Sequence, residues 1–214
     1  MRVMHKSFGD FGTNCYIVTK NNSSLVIDPG DGAKEWVLQN AKNLKAILCT
    51  HGHFDHIFDA GELKDELEIP VYINKFDAFM CESDIFGYMK NTFTPDVLVD
   101  NDKNFNIDNF YIKFHHFPGH TPGCSMIEID DTMFSGDFLF RGSIGRWDFP
   151  FSDKNEMLKS LEKCKNLKDN FTLYPGHGEG STLEAERNNI GYWIDIGKTI
   201  DYERAKDFIK HLEK

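Results

Sequence analysis

The sequence predicts an α/β fold of two mixed β-sheets packed face to face, with helices covering their outer faces. Three observations lead there. Strand-like segments bunch in two parts of the chain; segments with helical spacing of apolar residues follow each bunch; and no linker, repeat or low-complexity stretch divides the 214 residues. Residues 1–214 are therefore expected to form one domain.

RVMHKSF (2–8), NCYIV (14–18) and SSLVID (23–28) read as strands joined by turns at GDFGT and KNN. After the DPGDG turn (28–32), Trp36, Val37, Ala41 and Leu44 recur at helical spacing and predict a helix over 33–44. A short buried strand, AILCT (46–50), leads into a histidine-rich loop. A helix follows over DAGELKDELE (59–68), Pro70 stops it, and VYIN (71–74) returns to strand. Residues 75–95 have the least regular pattern, expected as a helix and a surface loop. Strands are expected again at VLVD (97–100), KNFNID (103–108), FYIKFHHF (110–117), CSMIEID (124–130) and TMFSGD (132–137). KNEMLKSLEKCKNL (154–167) reads as a helix and FTLYP (171–175) as a strand. TLEAERNNI (182–190) and ERAKDFIKHLEK (203–214) read as helices.

Charge and composition exclude several classes. The net charge is −10 with His neutral. That field repels a phosphate backbone, and no Lys/Arg stripe offsets it, so no nucleic-acid partner is expected. No apolar run approaches the roughly 18 residues of a membrane helix, and MRVMHKSFGDFGTN lacks the pattern of a signal peptide. A cytoplasmic protein without a membrane partner is expected. The cysteines (Cys15, Cys49, Cys81, Cys124, Cys164) are odd in number, scattered and without a CxxC pair, which argues against a disulfide framework or a thiolate zinc site. Cys15 and Cys49 read as small buried hydrophobes.

The chemistry concentrates in a few short segments. Five of the nine histidines fall in three of them, each at an expected strand end. In Thr50-His51-Gly52-His53-Phe54-Asp55-His56, residues two apart in extended chain face the same way, so His51 and His53 can face one metal. Asp55 and His56 lie where the chain turns into a helix and can reach a second metal, and Gly52 allows a tight bend between ligands. Pro118-Gly119-His120-Thr121-Pro122-Gly123 and Pro175-Gly176-His177-Gly178 each present one histidine on a rigid turn, and Ser135-Gly136-Asp137 delivers a carboxylate. A histidine alone in a turn is ordinarily a surface residue. Three imidazoles and a carboxylate within six residues compete or repel unless a metal holds them.

In this order, HGHFDH, PGHTPGC, SGD and PGHG resemble the motifs of the metallo-β-lactamase superfamily, over residues 51 to 178. The resemblance implies that family's αβ/βα sandwich. It also implies two divalent metal ions: His51, His53 and His120 on the first, Asp55, His56 and His177 on the second, and Asp137 bridging both. Zinc is the default because the implied chemistry needs no redox change, while iron and manganese also suit such donors. The implied reaction is hydrolysis by a metal-bridging hydroxide, which Asp55 orients while accepting the proton that the water gives up. A thiolate, with a conjugate acid of pKa about 8.5, departs without a proton donor, which favours a small thioester over a lactam.

GDFLFRGSIGRWDFP (136–150) resembles the glyoxalase II-like (hydroxyacylglutathione hydrolase-like) group, and the bridging Asp137 agrees with thioesterases of that type. Arg146 takes the place of a basic residue that contacts glutathione there. The alternative is that Arg146 pairs with Asp148. Only about twenty residues follow Tyr192-Trp193, so the chain resembles the short, single-domain members. Phe149, Phe151 and Tyr88 are candidate pocket walls, with plain packing as the other reading. Asp28 is a candidate partner for a metal-bound histidine or an ordinary strand-ending Asp. His115 and His116 read as structural or exposed, and His5 and His211 carry no signal.

The rival reading is a persulfide dioxygenase with a single iron, which shares HxHxDH, PGHTPGC and a similar GxGRxDF loop; metal count separates the two. A nuclease lacks its basic exosite here, and a flavodiiron protein would need a flavin domain. A non-catalytic binding module would be expected to have lost ligands. The sequence leaves oligomeric state and physiological substrate open.

Overall fold

The structure is a computed structural model that describes residues 1–199; the helix expected over 203–214, with His211, lies outside the described residues. Strands β1 (Arg2–Phe8), β2 (Thr13–Lys20), β3 (Ser23–Ile27), β4 (Leu44–Leu48), β5 (Val71–Asn74) and β6 (Val97–Val99) form one sheet in that spatial order. Pairing is antiparallel from β1 to β3 and parallel from β3 to β6. Strands β7 (Lys103–Ile107), β8 (Phe110–His116), β9 (Ser125–Ile129) and β10 (Thr132–Gly136) continue the chain. A short hairpin of β11 (Leu139–Phe140) and β12 (Ser143–Ile144) follows. Strands β13 (Thr172–Pro175) and β14 (Ser181–Thr182) complete a second sheet of order β7-β8-β9-β10-β13-β14, in which only β10 and β13 are parallel.

Period-two alternation sorts the core into layers. Tyr16 and Val18 of β2, Ala46 and Leu48 of β4, and Ile127 and Phe134 of the second sheet meet between the sheets. Their neighbours Cys15, Ile17 and Ile47 face outward onto α1 (Lys34–Asn40), α2 (Phe54–Ile57), α3 (Ala60–Leu67) and α4 (Ala78–Glu82). On the far side Met126, Met133 and Leu173 pack against α5 (Lys154–Lys165) and α6 (Leu183–Thr199). The result is the expected sandwich of two mixed sheets between helices. All five cysteines are buried and unbridged. No helix among the described residues is long and apolar enough to cross a membrane.

Boundaries moved where one residue satisfies two periods. The helix expected over 33–44 ends at Asn40; Asn43 turns the chain in a left-handed conformation, and Leu44 opens β4 opposite Ser24. The histidine loop itself contains the single turn α2, ahead of the helix expected at 59–68. The β11–β12 hairpin and β14 are two-residue strands, too short to alternate. Helix α6 runs through Gly191 to Thr199, well beyond 190.

Candidate metal centre

The chemical segments converge at one end of the sandwich, beyond the carboxyl ends of β3, β4, β10 and β13. All seven residues read as ligands in the sequence come together there. They form three overlapping groups: His51, His53 and His120; His51, His56 and Asp137; and Asp55, His56 and His177. Within each, the donor atoms lie within 4.8 Å of one another.

In the first group His53 Nδ1 is 3.2 Å from His51 Nε2 and 2.9 Å from His120 Nε2. In the third, His56 Nε2 is 3.3 Å from His177 Nε2 and 3.5 Å from Asp55 Oδ2. Asp137 lies between the groups, with Oδ1 3.3 Å from His56 Nε2 and Oδ2 3.6 Å from His120 Nε2 and 3.4 Å from His177 Nε2.

The outer ring nitrogens of four of the five histidines are tied elsewhere, which aims their inner lone pairs at the centre. His56 Nδ1–H donates to Asp28 Oδ2 at 2.9 Å, His120 Nδ1–H to the Arg146 carbonyl at 2.8 Å, and His177 Nδ1–H to the Phe11 carbonyl at 3.0 Å. His51 Nδ1–H donates to Thr50 Oγ1, which itself donates to Asp28 Oδ2 at 2.6 Å. Asp28 is therefore the partner of a candidate ligand, in a left-handed conformation that Asp tolerates better than most residues. Thr13 Oγ1 donates to Asp55 Oδ2 at 2.6 Å.

Asp77, which no motif marked, joins the two loops of the first group. It is fully buried and accepts from Gly52 N–H at 2.9 Å, Gly123 N–H at 2.6 Å and Thr121 Oγ1 at 2.6 Å. Gly52 is needed for this closeness, not for a left-handed bend: its backbone is not left-handed, and a Cβ there would stand 2.8 Å from the Asp77 carbonyl oxygen.

Charge states differ across the centre. Burial holds His51 well below the ordinary imidazole range, holds His53 at about 3 with the help of His120, and lowers His120 against the pull of Asp137. Burial disfavours a charged His56 too, but Asp55, Asp137 and Asp28 overcome it and raise this imidazole well above its usual value. His177, also penalised by burial, is raised to about 9 by hydrogen bonds to Asp137 and Asp55. Burial opposes ionisation of Asp55, yet His56 and hydrogen bonds from His177 and Thr13 bring it down to about 2. Asp137 is held far below the carboxylate range in the same way.

This donor set fits metal ions. Imidazole and carboxylate donors suit zinc, iron and manganese. Asp137 Oδ1 is buried and, although His56 Nε2 lies 3.3 Å away, makes no hydrogen bond, which is costly unless a cation takes its lone pairs.

Other sequence-selected residues divide. Arg146 makes two 2.8 Å hydrogen bonds to Asp148, from Nε and Nη2, and lies 4.2 Å from the Phe149 ring centroid. Tyr88 and Phe149 line a cavity over the centre. Phe151 is not there; it packs on Phe79, beside a separate concavity with Phe76 and His116. His115 bonds Glu128, His116 bonds the Pro122 carbonyl, and His5 leans on Tyr16, so all three are structural.

The sequence pattern of the metallo-beta-lactamase superfamily matches residues 8–177. The chain is 34% identical to the hydroxyacylglutathione hydrolase GloC of Haemophilus influenzae, over 84% of this chain and 92% of that protein. Among solved structures it matches the BLEG-1 B3 metallo-beta-lactamase with a TM-score of 0.82 and 29% identity, covering 90% of this chain and 99% of that one. TTHA1623, solved in a di-iron-bound form, matches with a TM-score of 0.74 and 30% identity over 87% and 98% of the two chains. This chain belongs to the metallo-beta-lactamase superfamily, a fold that binds divalent metals.

Proposed function

We propose that this chain is a cytoplasmic thioester hydrolase of glyoxalase II type, acting on a small hydroxyacylglutathione-like molecule at a two-metal centre. The observation that carries the reading is Asp137, a buried carboxylate set between two groups of donors, one of whose oxygens makes no hydrogen bond. His51, His53 and His120 would hold one ion, Asp55, His56 and His177 the other, and Asp137 both. Zinc is proposed, with iron or manganese as the other fits. Bound there, two divalent cations would supply the Lewis acidity that activates water and polarises a carbonyl at neutral pH.

The chain's own groups do the rest. Asp55, ionised at neutral pH and held by Thr13, orients the attacking water and takes its proton. Asp28 and the Arg146 and Phe11 carbonyls fix the imidazoles in place. A thiolate needs no general acid to leave, in keeping with a centre whose carboxylates are both ionised. The 34% identity to GloC supports the same substrate class. A small molecule is favoured over nucleic acid by the net charge of −10.

Elemental analysis of the purified protein with a rate assay on S-lactoylglutathione tests this. Close to two metals per chain with turnover is expected. One iron, no turnover and oxygen uptake on a persulfide would make the protein a dioxygenase instead.

A further inference from the structure

We propose that the cavity over the metal centre selects thioesters whose acyl group carries an aromatic ring; this rests on the thioesterase reading above. The cavity measures about 410 Å³, within the size range of small-ligand sites. Its floor is His53, Asp55, Asp137 and His177, so whatever fills it touches the reacting centre. Its walls are five aromatic rings from four segments of the chain: Phe11, Phe54, Phe86, Tyr88 and Phe149.

The rings form one connected surface. Tyr88 stacks on Phe54 at 4.4 Å, and Phe11 meets Phe54 edge-on at 5.2 Å. Phe86 and Phe149 meet the ring of His53 edge-on at 5.5 and 6.0 Å, on either wall. Despite these contacts Phe11 is 57% exposed, Tyr88 60% and Phe149 39%. Aromatic faces gathered in the open around a concave polar floor gain when an apolar group covers them.

Charge decides which end of the substrate enters. No Lys or Arg is among the lining residues, and the two arginines of the adjoining segment are engaged by carboxylates, Arg141 by Glu179 and Arg146 by Asp148. Burying the carboxylates of a glutathione-like thiol against these walls would leave them uncompensated. The thiol half therefore points outward, and the group attached to the carbonyl enters the aromatic walls. A methyl group, as in a lactoyl ester, leaves most of the cavity unfilled.

The test compares S-mandeloylglutathione with S-lactoylglutathione, which differ by phenyl for methyl, on the metal-loaded full chain. A kcat/KM ratio of about tenfold or more in favour of mandeloyl is expected. Tyr88→Ala, at an exposed position that should leave the fold intact, is expected to lower that ratio severalfold while Tyr88→Phe keeps it. A ratio near one in the unaltered protein, or one unchanged in Tyr88→Ala, would overturn the inference and leave the thioesterase reading standing. If neither ester turns over, the thioesterase reading fails. Calorimetry with phenylacetate and acetate then decides the cavity's preference: about tenfold tighter binding of phenylacetate retains it, and equal binding ends it.

Discussion

The two halves of the metal centre both rely on histidines but hold them in opposite charge states. His51, His53 and His120 face one another with no carboxylate of their own, and burial keeps them neutral. His56 and His177 lie among Asp28, Asp55 and Asp137 and are held protonated. The first half is thus ready to accept a metal, with Asp137 as the anion that acts on it most strongly. The second is satisfied by protons, which a metal must displace. Burial alone does not set the charge of a histidine cluster; the carboxylates folded in beside it do.

Asp137→Ala should break the comparison altogether, because Asp137 reaches both His120 and His177. Loss of metal from both halves and a fall in thioester hydrolysis of about a thousandfold or more are expected, read by elemental analysis and a rate assay. Two retained metals with normal turnover would remove the bridging role. A smaller effect should separate the halves. Asp77→Ala removes the acceptor shared by the Gly52 and Thr121–Gly123 loops, and Asp28→Ala removes the partner of His56. Asp77→Ala is expected to weaken the first half by about 10–100-fold in metal affinity, and Asp28→Ala the second half by as much, with a smaller loss at the first because Asp28 also holds His51 through Thr50. Titrating cobalt into each variant, with circular dichroism to confirm folding, would show whether the losses fall on different sites.

Acidity sharpens the contrast. His177 titrates at about 9 in the metal-free protein, so at neutral pH it carries a proton that metal binding must expel. Affinity at the second half should rise about tenfold per pH unit for each proton expelled until pH passes that value. At the first half, with His53 at about 3, affinity should stay level across the neutral range. Competition with a coloured chelator across that range reads both slopes, and equal slopes would mean that the two halves are not charged differently.

The sequence made the ligands legible because they are local. HGHFDH, PGH and SGD put donors at strand ends, and the structure brings all seven donors together. That β2 and β4 are buried was legible for the same reason, since their apolar residues run consecutively; which face Tyr16 or Cys15, Leu48 or Ile47 takes came only with the fold. The supports were not. Asp77 reaches Gly123 across 46 positions, and its local pattern is that of an Asp before a helix. Phe11, Phe54 and Phe86 are unmarked in sequence, and they become a wall because two loops meet the start of α2. Phe151 and Phe149 are two residues apart, yet only Phe149 lines the cavity; the chain turns left-handed at Phe151.

Arg146 gives the smallest expected effect and bears on the outer edge of the same comparison. Its carbonyl holds His120, while its side chain pairs with Asp148 and covers Phe149. Substitution leaves the carbonyl in place, so Arg146→Ala should not disturb the first half. An exposed pair of this kind is worth little on its own, because solvent screens it. If the guanidinium also meets the outward thiol half of the substrate, KM for a glutathione thioester should rise by about threefold, the size of a screened surface contact, with kcat unchanged. An unchanged KM with a lower melting temperature would assign Arg146 to the loop alone. The glutathione side of the substrate would then be left without a dedicated cation on this loop, and recognition would fall to the aromatic walls.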